Sequence, residues 1–561
     1  MSSKSSLSQS HSRQKLLLIC LLLVSLTLLF FLFSLEYKEL TLDTNNIIQV
    51  DHKPKPIPIP PWFDIIAKDV NNKNYIFKVG LVNFNARVNV TLHEQVLDAF
   101  HPKVETKFVD FDHVDENLKW GDFFPEWIDE DEKWDKPKCP NMPMPILKNY
   151  EDLNVVVAKI PCGIKDVFRL QVNLVVANLA VESGWLTKMG SGHRKVYVVF
   201  VGSCGPMEEI FKCDDLLMHQ GEYWVYMPDL MTLKHQTLMP HGSCQIATPY
   251  AQTGKEFWRK YTESRKQSNR RHVAYVTVLH SSEAYVCGAI ALAQSILKST
   301  YQVTSDLVLL ADKSIGSESI KGLKAAGWKI KRIERILNPF AKKGSYNEWN
   351  YSKLRIWQLT KYQKLIFLDS DFLVLRNLDH LFAYPQLSAS PNELTLFNSG
   401  LMVIEPSQCM FHNMMDKTSK VHPYNGGDQG FLNEVFTWWH RLPAKLNYLK
   451  TFGVEHNNDE VPHDAYTIHY LGVKPWQCYR DYDCNWDMLD RHIFASDSAH
   501  NRWWKVYDSM PQELQSYCGL TEKMNQRIVM MRRQAKNANL SDGHWKIKVK
   551  DPRRQYYYSD N

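Results

Sequence analysis

Between His272 and Leu471, short apolar runs alternate with helix-like patterns, and no other feature narrows the fold of the chain so far. His272–Leu279, Asp306–Ala311, Trp328–Ile333, Leu365–Leu368 and Thr467–Leu471 are expected as strands. Tyr285–Leu297, Ser317–Ala326, Tyr351–Thr360, Ser407–Val421 and Gln429–Phe436 are expected as helices between or beside them. Such alternation predicts an α/β fold with a mostly parallel sheet, helices on both faces and ligands at the carboxyl ends of the strands. Functional side chains should therefore follow strands.

Four Asp-x-Asp pairs occur: Asp110/Asp112, Asp129/Asp131, Asp369/Asp371 and Asp481/Asp483. Only Asp369-Ser370-Asp371 directly follows an apolar strand, Lys364 to Leu368. In extended backbone, positions i and i+2 face the same way, so both carboxylates can converge on one hard cation such as magnesium or manganese. The rival reading is a solvated turn. Further along lie Asn398-Ser399-Gly400 before an apolar strand, Asn425-Gly426-Gly427-Asp428-Gln429-Gly430 before a helix, and His469-Tyr470-Leu471-Gly472-Val473-Lys474-Pro475-Trp476.

The flanking regions place this part within a larger protein. Leu16–Leu35 is an uncharged, mostly apolar run of 20 residues. As a helix it would span about 30 Å, the thickness of a bilayer core. Lys4, Arg13 and Lys15 precede it, so a signal anchor with a cytosolic tail (1–15) and a lumenal bulk is expected. A proline-rich stem (36–72), an N-terminal α/β accessory region (73–253), a basic linker (254–271), the catalytic region (272–520) and a basic C-terminal tail (521–561) complete the division. The accessory region carries β-branched runs at Tyr75–Phe84, Asn154–Ile160, Leu170–Ala177 and Val196–Val201, and no chemical motif.

The net charge of +6 is small and spread along 561 residues, which gives no warrant for nucleic-acid binding. Of 11 cysteines, Cys20 lies in the apolar run, and no Cys-x-x-Cys occurs, so structural zinc is not indicated. In an oxidising lumen, Cys478/Cys484 and Cys204/Cys213 are disulfide candidates, while Cys287, inside a helical apolar pattern, is expected as a buried free thiol. Sequons stand at Asn89, Asn350 and Asn539.

Asp-x-Asp, Asn-Ser-Gly, Gly-Gly-Asp-Gln-Gly and His-x-x-Gly-x-x-Lys-Pro-Trp, in this order over roughly residues 272–480, resemble glycogenin and the wider family 8 of retaining glycosyltransferases. The anchored architecture with a long N-terminal region resembles, within that family, the plant glucuronosyltransferases that place glucuronic acid on xylan. The resemblance implies a GT-A type nucleotide-diphospho-sugar transferase fold, a UDP-sugar donor, a xylan acceptor, Mn2+ as cofactor and a Golgi membrane location. It leaves as alternatives a glycogenin-like priming glucosyltransferase, a transferase with a glycolipid acceptor, and a catalytically inactive Golgi scaffold.

The same resemblance implies roles. Asp369, Asp371 and His469 would ligate manganese; Lys474 would meet the diphosphate, and Gly472 would let backbone approach a phosphate. Asp428 and Gln429 would bind sugar hydroxyls or assist an oxocarbenium-like centre, with Lys353 beside the donor as a third catalytic residue, and Asn398, Ser399, Gly400, Asn425, Gly426 and Gly427 would line the same pocket with Ser370, Tyr470, Leu471 and Val473. Tyr285 would stack on the base, within a segment one residue longer than the glycogenin pattern. Lys353, or its rival Arg355, would meet a uronic carboxylate. Because Asn350 lies three residues before Lys353, a glycan there would crowd the donor, so this sequon is expected to be unoccupied.

Overall fold

The computed structural model describes residues 61–66, 76–84, 104–125, 138–184, 194–246, 272–300, 305–450 and 460–555. The apolar run at 16–35, most of the stem, the basic linker and the Asn89 sequon lie outside the described residues. Among those described, no helix is long and apolar enough to cross a membrane.

The N-terminal lobe is a six-stranded sheet, β1 (Phe77–Val82), β2 (Val104–Val109), β3 (Val155–Lys159), β4 (Tyr197–Val201), β5 (Leu216–Gln220) and β6 (Tyr223–Tyr226), ordered β2-β1-β3-β4-β6-β5. Trp62 and Ile66, within the expected stem, are buried against one face of it, so part of that segment belongs to the lobe. The β-branched run Leu170–Ala177 belongs to the helix Val167–Gly184, whose 18 residues exceed the usual strand length. Burial on almost every side suits an apolar sequence regardless of its β propensity. Its buried amide Gln171 donates to the carbonyls of Asp112 and Pro143, each at 2.8 Å, and so stitches a surface segment to the helix.

The second lobe holds β7 (Val273–Leu279), β8 (Asp306–Ala311), β9 (Lys329–Arg332), β10 (Lys364–Leu368), β11 (Phe372–Val374), β12 (Ser388–Pro391), β13 (Phe397–Ile404), β14 (His440–Arg441), β15 (Tyr448–Leu449) and β16 (Thr467–His469). Seven of these form a sheet ordered β14-β12-β13-β10-β7-β8-β9. β9, β8, β7 and β10 run parallel, as expected, whereas β13 is antiparallel to β10 and β12 is antiparallel to β13. β10 sits between β13 and β7 and is buried along its whole length, which is why it reads as an unbroken apolar run.

Two expectations are corrected. Thr467–His469 leaves the main sheet: β16 pairs antiparallel with β11 and parallel with β15 in a separate three-stranded sheet. The segment expected as a helix at Tyr351–Thr360 is a tight 3-10 stretch, Asn350–Gln358, which turns Lys353 inward.

The lobes are joined by covalent and polar links. Gly242 pairs with His440 of β14, and Glu209 accepts from the backbone of Thr437 at 3.0 Å and of Trp438 at 3.3 Å. Glu405 pairs with Lys212 from the first lobe and with Lys364 of β10 at 3.1 Å. The cysteines beyond the apolar run form five disulfides: Cys139–Cys244, Cys162–Cys204, Cys213–Cys409, Cys287–Cys518 and Cys478–Cys484. Of the expected pairs only Cys478–Cys484 forms. Cys204 and Cys213 have other partners, and Cys287 is bonded, because the fold brings together residues far apart in sequence, which proximity along the chain does not reveal.

The basic C-terminal stretch is folded over Glu522–Asn537 as a helix, with Ile528, Met531 and Ala535 on its buried side. Beyond it, Arg553 is only 1% exposed. Its guanidinium donates to the carbonyls of Trp476 at 2.8 Å and Cys518 at 3.1 Å and to that of Cys478, and binds Asp551 at 2.7 Å. The chain's end is thereby clasped to the loop that carries Lys474.

Candidate active site

β10 ends at Leu368, and the next three residues turn so that Phe372 can enter β11. The Asp369 amide donates to the Gly400 carbonyl at 2.9 Å, which holds this turn against β13. The antiparallel register of β11 and β16 sets Phe372 opposite His469, and the Tyr470 amide donates to the Asp371 carbonyl at 3.0 Å. Two backbone ladders thus bring a histidine about a hundred residues away in sequence to the aspartates. His469 Nε2 lies 3.5 Å from Asp371 Oδ1, and ligand atoms of Asp369, Asp371 and His469 all fall within 4.8 Å of one another. Two carboxylate oxygens and an imidazole nitrogen form a donor set suited to a divalent ion such as manganese.

The electrostatics separate the two aspartates. Burial pushes the Asp369 carboxyl up to about 6, against the pull of Lys353 and with the added repulsion of Asp371 and Asp428. Burial acts the same way on Asp371 but is outweighed by Lys474 and His469, which hold its carboxyl below the ordinary range. Lys474 Nζ meets Asp371 Oδ2 at 2.5 Å and the Tyr470 carbonyl at 2.6 Å. A bound cation and a phosphate oxygen would compete for these same partners.

Lys353 is 8% exposed, so it is no solvent-facing helical lysine. Its ammonium contacts Asp428 Oδ2 at 2.5 Å, Asp369 Oδ1 at 3.2 Å, and the hydroxyl and carbonyl of Ser399 at 3.2 and 3.3 Å. Asp428 does not cap its helix, Asp428–Val435; Asn425 does that instead, its Oδ1 accepting from the amides of Gly427 and Gly430 at 3.0 Å each. A neutral amide therefore suffices at position 425. Freed from capping, Asp428 also accepts from Asn350 Nδ2 at 3.0 Å and Ser399 Oγ at 3.2 Å. Gln429 accepts from the Ser399 amide at 3.2 Å and donates to the Tyr424 hydroxyl at 2.9 Å.

These residues surround a cavity of about 750 Å³, large enough for a nucleotide-linked sugar. Asp369, Ser370, Asp371, Asn398, Ser399, Gly400, Asn425, Gly427, Asp428, Gln429, His469, Leu471, Lys474, Lys353 and Tyr285 all line it. Gly426, Tyr470, Gly472 and Val473 do not. Tyr470 is fully buried and donates to the Ala499 carbonyl at 2.8 Å. Gly472 has φ of 72°, and a Cβ there would stand 2.4 Å from Asn485 Oδ1, so the close neighbour that requires glycine is a protein amide. Asn485 accepts from the Val473 amide at 3.0 Å and is itself held by Asp483. Asp483 is buried against Lys450, so the Asp481/Asp483 pair serves structure.

Tyr285 stands edge-on to Trp476 at 6.1 Å, with Lys474 Nζ 5.8 Å from its ring. Just before it, the longer segment is accommodated by a left-handed kink at Ser281, φ 67°. Arg355 does not line the cavity. Arg335, Tyr346 and Trp349 do, without any signal in the sequence pattern, because they lie on irregular backbone between β9 and Asn350.

The Asn350 amide nitrogen donates to Asn347 as well as Asp428, inside the cavity wall. A glycan on that nitrogen would leave it a single N–H, so at least one of the two hydrogen bonds would be lost, and the sugar would fill the cavity. Peptide mapping of active protein is therefore expected to find Asn350 unmodified; a glycan there in active molecules would contradict this placement.

Residues 59–244 match the GUX1-5 N-terminal domain, and residues 276–386 and 385–479 match glycosyl transferase family 8. The chain is similar to UDP-glucuronate:xylan alpha-glucuronosyltransferase 2 of Arabidopsis thaliana, 47% identical over 86% of this chain and 81% of that one. It is also similar to UDP-glucuronate:xylan alpha-glucuronosyltransferase 1 of the same plant, 43% identical over 88% and 74%. Among solved structures, the galactosyltransferase LgtC in complex with donor and acceptor sugar analogs is 16% identical, with a TM-score of 0.32 over 44% of this chain and 99% of that chain.

Proposed function

Because the chain belongs to glycosyl transferase family 8, among the plant UDP-glucuronate:xylan alpha-glucuronosyltransferases, we propose that it transfers glucuronic acid from UDP-glucuronate to O-2 of xylosyl residues in xylan, with the α configuration retained. The observation that carries this reading is the meeting of Asp369, Asp371 and His469 beside Lys474, at one end of a cavity whose other polar groups are Asp428, Gln429 and Lys353.

In this reading Asp369, Asp371 and His469 hold manganese, which when bound supplies Lewis-acid neutralisation of the leaving diphosphate. Lys474 exchanges Asp371 for a diphosphate oxygen and stabilises charge as the glycosidic bond breaks. Asp428 and Gln429 orient the sugar hydroxyls, and Lys353 fixes the orientation of Asp428. Tyr285 packs against the base. The catalytic lobe is of GT-A type, and retention of this whole set speaks against an inactive scaffold.

A Golgi location with a type II anchor at 16–35 is part of the same proposal. Five disulfides among the described residues support maturation in an oxidising lumen. The test is the recombinant protein with manganese, a xylo-oligosaccharide and a panel of UDP-sugars. Glucuronosyl transfer that chelation abolishes and manganese restores is expected. Activity with UDP-glucose alone would refute the uronate part, and transfer unaffected by chelation would refute the metal part.

A further inference from the structure

We propose that Arg335 recognises the carboxylate at C6 of the donor sugar, an assignment that rests on the uronate-donor reading above and deepens it. A uronate differs from the neutral hexose by one anionic group, so a site that prefers it needs a cation with hydrogen-bonding capacity to spare. Among the described residues lining the cavity, three carry a lysine or arginine charge: Lys474, Lys353 and Arg335.

Lys474 is committed beside the metal ligands, on Asp371 and the Tyr470 carbonyl. An ammonium has three N–H donors, and Lys353 already faces two carboxylates and two oxygens of Ser399. It is saturated. Arg355, the candidate that the sequence offered, donates to the Glu334 carbonyl at 3.1 Å and to Gln358 at 2.9 Å, and lies over Phe411 away from the cavity.

Arg335 is held in place yet incompletely used. Its Nε is 3.1 Å from Asp312, a carboxylate only 1% exposed, and its guanidinium lies over the Trp349 indole at 4.3 Å. Ion pair and stacking fix the plane of the fork. Nη1 reaches only Ser281 Oγ, at a long 3.4 Å, and Nη2 has no hydrogen-bond partner among the described residues. An arginine held by an ion pair and by stacking leaves its Nη edge for two parallel bonds to a planar carboxylate, a geometry no lysine can copy.

The position also suits a sugar gripped by Asp428. His280 also lines the cavity, and the charges that act on its half-buried imidazole are Asp428, Asp312, Lys353 and Arg335. The arginine stacks on Trp349, whose neighbour Asn350 donates to Asp428 at 3.0 Å, so the cation and the sugar-facing carboxylate line adjoining parts of one cavity.

The test compares full-length wild type with Arg335→Gln and Arg335→Lys, in detergent with manganese. Two measurements are made: kcat/KM for UDP-glucuronate and UDP-glucose, and calorimetric affinity for both donors and for UDP. Arg335→Gln should lower kcat/KM for UDP-glucuronate by about 30-fold or more, mainly through KM, consistent with loss of charge-assisted hydrogen bonds. UDP affinity should stay within about twofold, which also certifies the fold, and use of UDP-glucose should fall little. Arg335→Lys should recover only part of the loss. Equal losses with both donors, or undiminished use of UDP-glucuronate, would overturn the assignment.

Binding distinguishes this failure from that of the parent reading. A wild type that binds UDP-glucuronate more tightly than UDP-glucose through Arg335, yet transfers no glucuronic acid to xylan, would sustain the assignment and sink the xylan reaction. A wild type that transfers glucuronic acid to xylan without any such binding preference would sink the assignment and sustain the reaction.

Discussion

Asp371→Ala is expected to reduce glucuronosyl transfer by about a thousandfold or more, and to do so through kcat. The residue carries three duties that the geometry separates. It stands with Asp369 and His469 around the candidate metal position, it keeps Lys474 in place at 2.5 Å, and its backbone carbonyl accepts from Tyr470. The variant retains only the last. Manganese affinity should fall with turnover, while the unfolding transition should stay cooperative because the β11–β16 ladder does not involve the carboxylate. UDP with manganese should stabilise wild type markedly and the variant little. Transfer within tenfold of wild type would refute the assigned metal position.

The second large effect lies far from the sugar. Arg553→Ala is expected to cost about 3–5 kcal/mol of unfolding free energy in urea, the range for removing one member of a buried ion pair. It would strand Asp551, whose carboxyl burial raises and Arg553 outweighs so as to hold it below the ordinary value. It would also leave the carbonyls of Trp476, Cys478 and Cys518 without this donor. Since Trp476 follows Lys474 by two residues, activity should fall even in the folded fraction. Arg553→Lys should recover part of the stability, because a point charge can satisfy Asp551 but not all three carbonyls. Equal stability of wild type and Arg553→Ala would refute the role of the C-terminal clasp.

Part of the candidate site was legible from local pattern, while His469, about a hundred residues away, entered through the family resemblance. Asp369 and Asp371 could be singled out from four pairs since only they follow a fully apolar run, the mark of a central strand. Lys353 and Asp428 were named as site residues, although their mutual ion pair depends on how β10, β13 and the Asn350–Gln358 turn pack. What stayed hidden is what local pattern does not encode. The Val167–Gly184 helix contains a β-branched run because tertiary burial overrides propensity. Cys287 resembled a core thiol because its partner, Cys518, is 231 residues away. Arg335 had no motif, since its value comes from Asp312 and Trp349, one on each side in the fold and neither periodic with it.

The two long-range disulfides have a consequence for how the protein must be made. Cys213 is synthesised 196 residues before Cys409, and Cys287 precedes Cys518 by 231, so the two spans interlock. In the oxidising lumen proposed above, Cys213 and Cys287 would each be open to mispairing until the partner had been synthesised. Mispairing is then corrected only by exchange with another thiolate, and maturation depends on a resident isomerase until the last cysteine has been threaded through. A nascent chain released between residues 287 and 518 would carry Cys287 without its native partner, a handle by which quality control can hold it back.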